Sequence, residues 1–218
     1  MLNGNKLKNK PTLKFENKAR EEGFSIIIGV DEAGRGPLAG PVVAAAVVLR
    51  EISFRARIAD SKLITPQQRE AAFHEILDKS YVGVGIISEM VIDRVNILES
   101  TYLAMTNAVN HLLGKLPQAQ MSLCFPDGVC LLIDGDRFKS DLPIQVRTIV
   151  DGDRLVLSIA CASIVAKVVR DRILSCYDRI FPEYGFGQHK GYPTPEHKAA
   201  LRTHGFSPFI ESRSVFKR

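Results

Sequence analysis

The chain has 218 residues, of which 45% are hydrophobic and 24% charged, enough apolar material for a substantial core and too little bias for a disordered segment. Its longest uncharged stretch, residues 36–49, is too short and too broken by Gly and Pro to span a bilayer, and the polar start lacks the apolar core of a secretion signal. The net charge of +5 lies entirely in the first twenty residues, where Lys6, Lys8, Lys10, Lys14, Lys18 and Arg20 face only Glu16, and the remaining 23 basic and 23 acidic residues cancel.

Residues 1–22 therefore read as a basic, flexible leader, either an arm that attracts nucleic acid or a solubilising segment. An apolar run, Ile26-Ile27-Ile28, reads as a first strand that ends at Asp31-Glu32. Val42–Leu49 reads as a second, and the short glycine-rich connection from Gly36 to Gly40 suggests an antiparallel hairpin. Thr65-Pro66 marks a helix start, with Thr65 as N-cap, and that helix runs to about Leu77. Tyr81–Ile87, apolar residues alternating with glycine, is a third strand. Val95, Leu98, Tyr102, Met105, Val109 and Leu112 recur at helical spacing and predict one long helix, closed by Gly114 and Pro117.

Val129–Ile133 is a fourth strand, ending at Asp134-Gly135-Asp136, and Ile144–Val150 a fifth, ending at Asp151-Gly152-Asp153. From Leu155 a run of small residues (160, 162, 163, 166) predicts a helix packed closely on the sheet, broken at Pro182 and Gly185. Lys167, Arg170 and Arg172, late on that helix, are either phosphate contacts or, by the plainer reading, ordinary exposed helix charges. The last stretch, rich in Gly, Pro and basic residues, is a small lobe or a wrap over the core. This order gives an α/β sheet with mixed strand directions. Four cysteines without Cys-x-x-Cys spacing indicate neither a zinc site nor a disulfide framework, and reduced thiols fit a cytoplasmic protein.

Three strands end in acids, and sites in α/β sheets gather at strand ends. Neighbours on a strand point to opposite faces, so Asp31 and Glu32 converge only if the backbone twists there. Clustered carboxylates repel and need cations between them. Their hard oxygen donors favour Mg²⁺ or Mn²⁺, and two such ions can drive in-line phosphodiester cleavage. Gly34 and Gly36 flank Arg35, leaving backbone N–H groups free to approach a phosphate or sugar. The pattern is neither a dinucleotide fingerprint nor a Walker loop.

Asp31-Glu32-Ala33-Gly34-Arg35-Gly36-Pro37, with Leu38-Ala39-Gly40-Pro41 and the apolar run after it, resembles the opening motif of prokaryotic ribonuclease HII. Three more motifs match in the family's order: Ile133-Asp134-Gly135, Asp153 before Ser158-Ile159-Ala160-Cys161-Ala162-Ser163-Ile164, and Tyr184-Gly185-Phe186-Gly187-Gln188-His189-Lys190-Gly191-Tyr192. Asp60-Ser61-Lys62 also recurs in the family; Lys62 contacts the nucleic-acid backbone or is a solvated loop lysine. The resemblance spans roughly residues 25–210. It implies a ribonuclease H-like core over 23–182 and a C-terminal extension over 183–218 that contributes to substrate binding.

It further implies that Asp31, Glu32, Asp134 and Asp153 bind two divalent cations, Mg²⁺ or Mn²⁺, and form the catalytic set. The family's fourth acid usually follows Lys-Gly, and this chain has Asp151-Gly152 there. Asp153 is chosen over Asp151 for its distance to the helix, and Asp136 is read as an outer or surface acid. Gly34, Arg35, Gly36 and Tyr192 would select the ribonucleotide. The implied partners are RNA–DNA hybrids and duplex DNA carrying single ribonucleotides, cut to 3′-hydroxyl and 5′-phosphate ends by a monomer without membrane attachment. The related ribonuclease HIII carries a large N-terminal domain, for which a leader of this length is expected to leave no room. Rival readings are another two-metal nuclease of the same fold and a non-catalytic hybrid-binding module.

Overall fold

The computed structural model describes residues 10–118 and 124–206. Its sheet has five strands: β1 (Ile26–Ala33), β2 (Val42–Leu49), β3 (Ser80–Ile87), β4 (Val129–Asp134) and β5 (Gln145–Ile149), in the spatial order β3-β2-β1-β4-β5. β1 pairs antiparallel with β2 and parallel with β4; β2–β3 is antiparallel and β4–β5 parallel. The mixed α/β sheet flanked by helices expected from the sequence is thus present.

Period-2 alternation assigns the two faces. Ile26, Ile28 and Val30 point to one side, where they join Leu131 and Ile133 of β4 and Met105, Ala108 and Leu112 of helix α4 (Ile97–Leu113). Ile27 and Leu132 point to the other, against Ile159 of helix α6 (Leu157–Ile180). Helix α2 (Pro66–Lys79) joins that second layer through Phe73 and Ile76 and starts with a full capping box between Thr65 and Gln68. Gly83 and Gly85 of β3 let α4 lie almost on the backbone. A Cβ at Gly85 would stand 2.0 Å from the Ala104 carbonyl oxygen.

The long helix expected over about residues 95–112 is α4, which begins at Ile97; Val95 belongs instead to a separate short helix before it, α3 (Glu89–Val95). The break is Asn96, at φ 86°, whose side chain accepts from the Leu98 and Glu99 amides and starts α4. The apolar period continues across the break, so periodicity alone did not reveal it.

The leader, expected to be flexible, is docked from residue 12 onward; residues 1–9 lie outside the described residues. Helix α1 (Lys14–Glu21) buries Ala19 and Glu16, and Glu16 Oε1 accepts the Ser158 amide at 2.9 Å. That amide belongs to the first turn of α6, where an anionic acceptor is favoured. Thr12 bridges to Val156 immediately before α6. The expected extension over 183–218 is described to residue 206. There a 3₁₀ turn (Pro182–Tyr184), α7 (Phe186–His189) and α8 (Pro195–His204) wrap onto α6 through Tyr184, Phe186 and Leu174. Among the described residues no helix is long and apolar enough to cross a membrane.

Candidate active site

β1 and β4 run parallel and in register up to Val30 opposite Ile133. The next residue on each is an acid, so Asp31 and Asp134 stand side by side on neighbouring strands. Glu32 follows within β1, which continues to Ala33, and its amide donates to Asp31 Oδ1 at 2.7 Å. The pair therefore stands on a strand that has not yet ended, and Glu32 remains within electrostatic reach of Asp134.

Asp153 does not stand at a strand end. It sits in a one-turn helix, α5 (Gly152–Leu155), behind Asp151, whose backbone is left-handed at φ 57°. That turn folds back so that the Gly152 amide donates to Asp134 Oδ1 at 2.6 Å and the Asp153 amide approaches the same oxygen at 3.4 Å. Asp153 is buried, whereas Asp151 is exposed. Asp136 is exposed and lies 3.5 Å from the Arg137 guanidinium. The structure thus brings Asp31, Glu32, Asp134 and Asp153 together and leaves Asp136 at the surface.

Their electrostatics match crowded, half-desolvated carboxylates. Burial, then the charges of Glu32 and Asp134, push the Asp31 carboxyl well above its ordinary value, against a hydrogen bond from Ser163. Burial also raises Glu32, opposed by Arg35 at 3.3 Å, and raises Asp134 against the amides it accepts. Asp153 is raised to about 6 by burial, then by Asp60 and Asp134. Burial works against the Lys62 ammonium, but Asp60, Asp153, Asp31 and Asp134 together outweigh it and hold its proton more tightly than in an ordinary lysine.

Asp60 and Ser163 had been given no role from sequence. Asp60 is buried and accepts the Lys62 amide at 2.9 Å. Ser163 Oγ is 3.0 Å from Ser61 Oγ, so a hydroxyl pair stands behind Asp31. A polar residue inside the apolar, small-residue face of α6 was the available signal for Ser163.

The donor set suits a hard divalent cation: four buried or half-buried carboxylates, raised first by burial and then by one another's charge, with Lys62 and Arg35 as nearby positive charges. Among the described residues no three His, Cys, Asp or Glu side chains already close on one point. Beside them is a cleft lined by Gly34, Gly36, Ser61, Lys62, Lys167 and Tyr192. A Cβ on Gly36 would lie 3.5 Å from the Tyr192 ring, and the Lys167 ammonium is 6.0 Å from that ring's centre. Tyr192 as a whole is 42% exposed. Gly34, Arg35, Gly36 and Tyr192, predicted from two separate stretches of the chain, share this cleft with Glu32.

The family model for ribonuclease HII matches residues 28–218. The chain belongs to the ribonuclease HII family. A ribonuclease HII from Ruminiclostridium cellulolyticum is 49% identical over 197 residues, covering 90% of this chain and 72% of that one. Among solved structures, ribonuclease H2 from Pyrococcus horikoshii OT3 is similar with a TM-score of 0.62 and 26% identity, over 85% of this chain and 92% of that one. Bst-RNase HIII in complex with Mn²⁺ shares the fold at a TM-score of 0.61 and 19% identity, over 86% and 65%. As a ribonuclease HII the chain is a metal-dependent endoribonuclease with ribonuclease H activity on RNA–DNA hybrids.

Proposed function

We propose that this ribonuclease HII also nicks duplex DNA at single embedded ribonucleotides, and that Asp31, Glu32, Asp134 and Asp153 hold two divalent cations, Mg²⁺ or Mn²⁺. When bound, such ions activate water and offset charge on the leaving oxygen of an in-line displacement. The chain's own contribution is placement. Asp31 is braced by Ser163 and the Glu32 amide, Glu32 by Arg35, and Asp134 by the Gly152 amide. Products carry 3′-hydroxyl and 5′-phosphate ends.

The observation that carries ribonucleotide selection is the facing of Gly36 and Tyr192 beside Glu32. A 2′-hydroxyl is what separates RNA from DNA locally, and it needs close polar partners to be read. Glycines at 34 and 36 let backbone groups approach the sugar. The exposed Tyr192 ring offers a flat face for the sugar next to it.

The test uses a labelled DNA duplex with one ribonucleotide and an all-DNA control, each in Mg²⁺, in Mn²⁺ and in chelator, beside an Asp134→Asn variant. A cut at the 5′ side of the ribonucleotide, absent in chelator and in the variant, is expected. Cutting of the all-DNA control would refute ribonucleotide selection, and no cut with either metal would refute the assigned role of the acids.

A further inference from the structure

Arg170 lies on α6 among residues that read from sequence as exposed helix charges. It is instead 1% exposed, the largest fully buried side chain among the described residues. A buried guanidinium is costly unless its N–H groups find acceptors. Here Nε donates to the Pro41 carbonyl at 3.0 Å, Nη2 to the Ala39 carbonyl at 2.8 Å and Nη1 to the Lys190 carbonyl at 3.0 Å. The buried Glu89 carboxylate lies within electrostatic reach as counter-charge.

These three carbonyls belong to two chain segments. Ala39 and Pro41 close the loop that opens with Gly34-Arg35-Gly36. Lys190 stands two residues before Tyr192. The Leu38 amide donating to the Gly191 carbonyl at 2.8 Å adds a direct tie between them. Both segments are shaped to reach the guanidinium. Gly34, at φ 117°, has no space for a Cβ, which would stand 2.6 Å from Arg170 Nε. Gly191, at φ 81°, would place one 2.2 Å from the Ala39 carbonyl oxygen. A lysine could offer one point charge here, not a planar fork spanning three carbonyls.

We infer that Arg170 is a positioning residue for ribonucleotide selection: it locks the Gly34–Gly36 loop to the Tyr192 segment, so that both walls of the cleft close on one sugar. The inference rests on the selection proposed above. Arg170 borders the same cleft, but its guanidinium is engaged by the three carbonyls, so its role is to fix the separation of the two segments that carry the sugar-facing groups. The acids lie on β1, β4 and α5, whereas the three carbonyls that Arg170 bonds lie on the 34–41 loop and the Tyr192 segment, so its loss falls on recognition before chemistry.

The test is Arg170→Lys, assayed for KM and kcat on a single-ribonucleotide duplex and on a long RNA–DNA hybrid, with unfolding measured in parallel. The KM ratio of the two substrates is expected to shift about tenfold against the single ribonucleotide, the scale of a small misplacement at a recognition site. Combined with Tyr192→Ala, the substitution should add little further loss, because both act through one contact. A folded variant with an unchanged KM ratio, or fully additive losses, would overturn the inference. So would a variant that does not fold, since the residue would then belong to the scaffold. If the wild type itself does not nick at a single ribonucleotide, selection fails, and the failure is separable because it appears before any substitution.

Discussion

Asp153→Asn should make the metal-free protein more stable while removing activity. The folded protein holds the Asp153 proton up to about pH 6, while an ordinary aspartate releases it near 3.8. Between those values the folded state binds more protons than the unfolded one, so stability falls as pH rises. The penalty is complete above pH 6 and absent below 3.8. Taken at face value it corresponds to about 3 kcal/mol at neutral pH. Water and counter-ions at the open face screen part of it, leaving about 1.5–3 kcal/mol. For a domain of this size that is a rise of about 3–12 °C in Tm.

The assay is thermal unfolding of wild type and Asp153→Asn in chelator at pH 7.5 and pH 4. The variant should be more stable at pH 7.5, and the gap should nearly close at pH 4, where the wild-type group is already neutral in the fold. Added Mg²⁺ or Mn²⁺ should raise the wild type more than the variant. A variant no more stable than wild type at pH 7.5, or equally favoured at both pH values, would refute the electrostatic account of this cluster.

Three further outcomes concern the scaffold. Asn96 holds a backbone conformation that suits glycine and also caps α4, so Asn96→Ala should cost about 1–2 kcal/mol in urea unfolding, whereas Asn96→Gly keeps the backbone and should cost less. Gly85→Ala drives a methyl group into the Ala104 carbonyl, and a loss of about 3 kcal/mol by the same measurement is expected. Glu16→Ala leaves the Ser158 amide without its acceptor and should lower stability by about 1–2 kcal/mol in a thermal scan; an unchanged Tm would mean that α1 is not a brace.

The five strands could be read from the sequence because each carries β-branched or apolar residues bounded by Gly, Pro or Asp. Their order could not, because pairing partners leave no local signal; the parallel β1–β4 contact joins residues about a hundred positions apart. The acids were legible as strand-end and motif residues, but Asp153 turned out to stand on a separate turn, since one left-handed residue, Asp151, redirects the chain. Asp60, Glu16 and Arg170 were misread or passed over for one reason. A charged residue is exposed by default, and nothing in the flanking residues announces the partner that lets it be buried. Glu16 finds a helix amide 142 residues away, and Arg170 finds carbonyls 20 to 131 residues away.

The sheet topology accounts for why recognition and chemistry are neighbours. β1 and β4 are parallel, so both deliver their acids to the same edge of the sheet. β2 is antiparallel to β1, so the connection between them must turn at that same edge. Residues 34–41 therefore cannot lie anywhere but beside Asp31 and Glu32. The Tyr192 segment arrives there by a different route, from the end of α6, and is tied in through Arg170. One wall of the cleft is thus fixed by strand order and the other by the buried Arg170 side chain together with the Leu38–Gly191 hydrogen bond. Substitutions on the Tyr192 side should accordingly change which sugar is accepted while the acids keep their arrangement, whereas substitutions in β1 or β4 cannot avoid moving both.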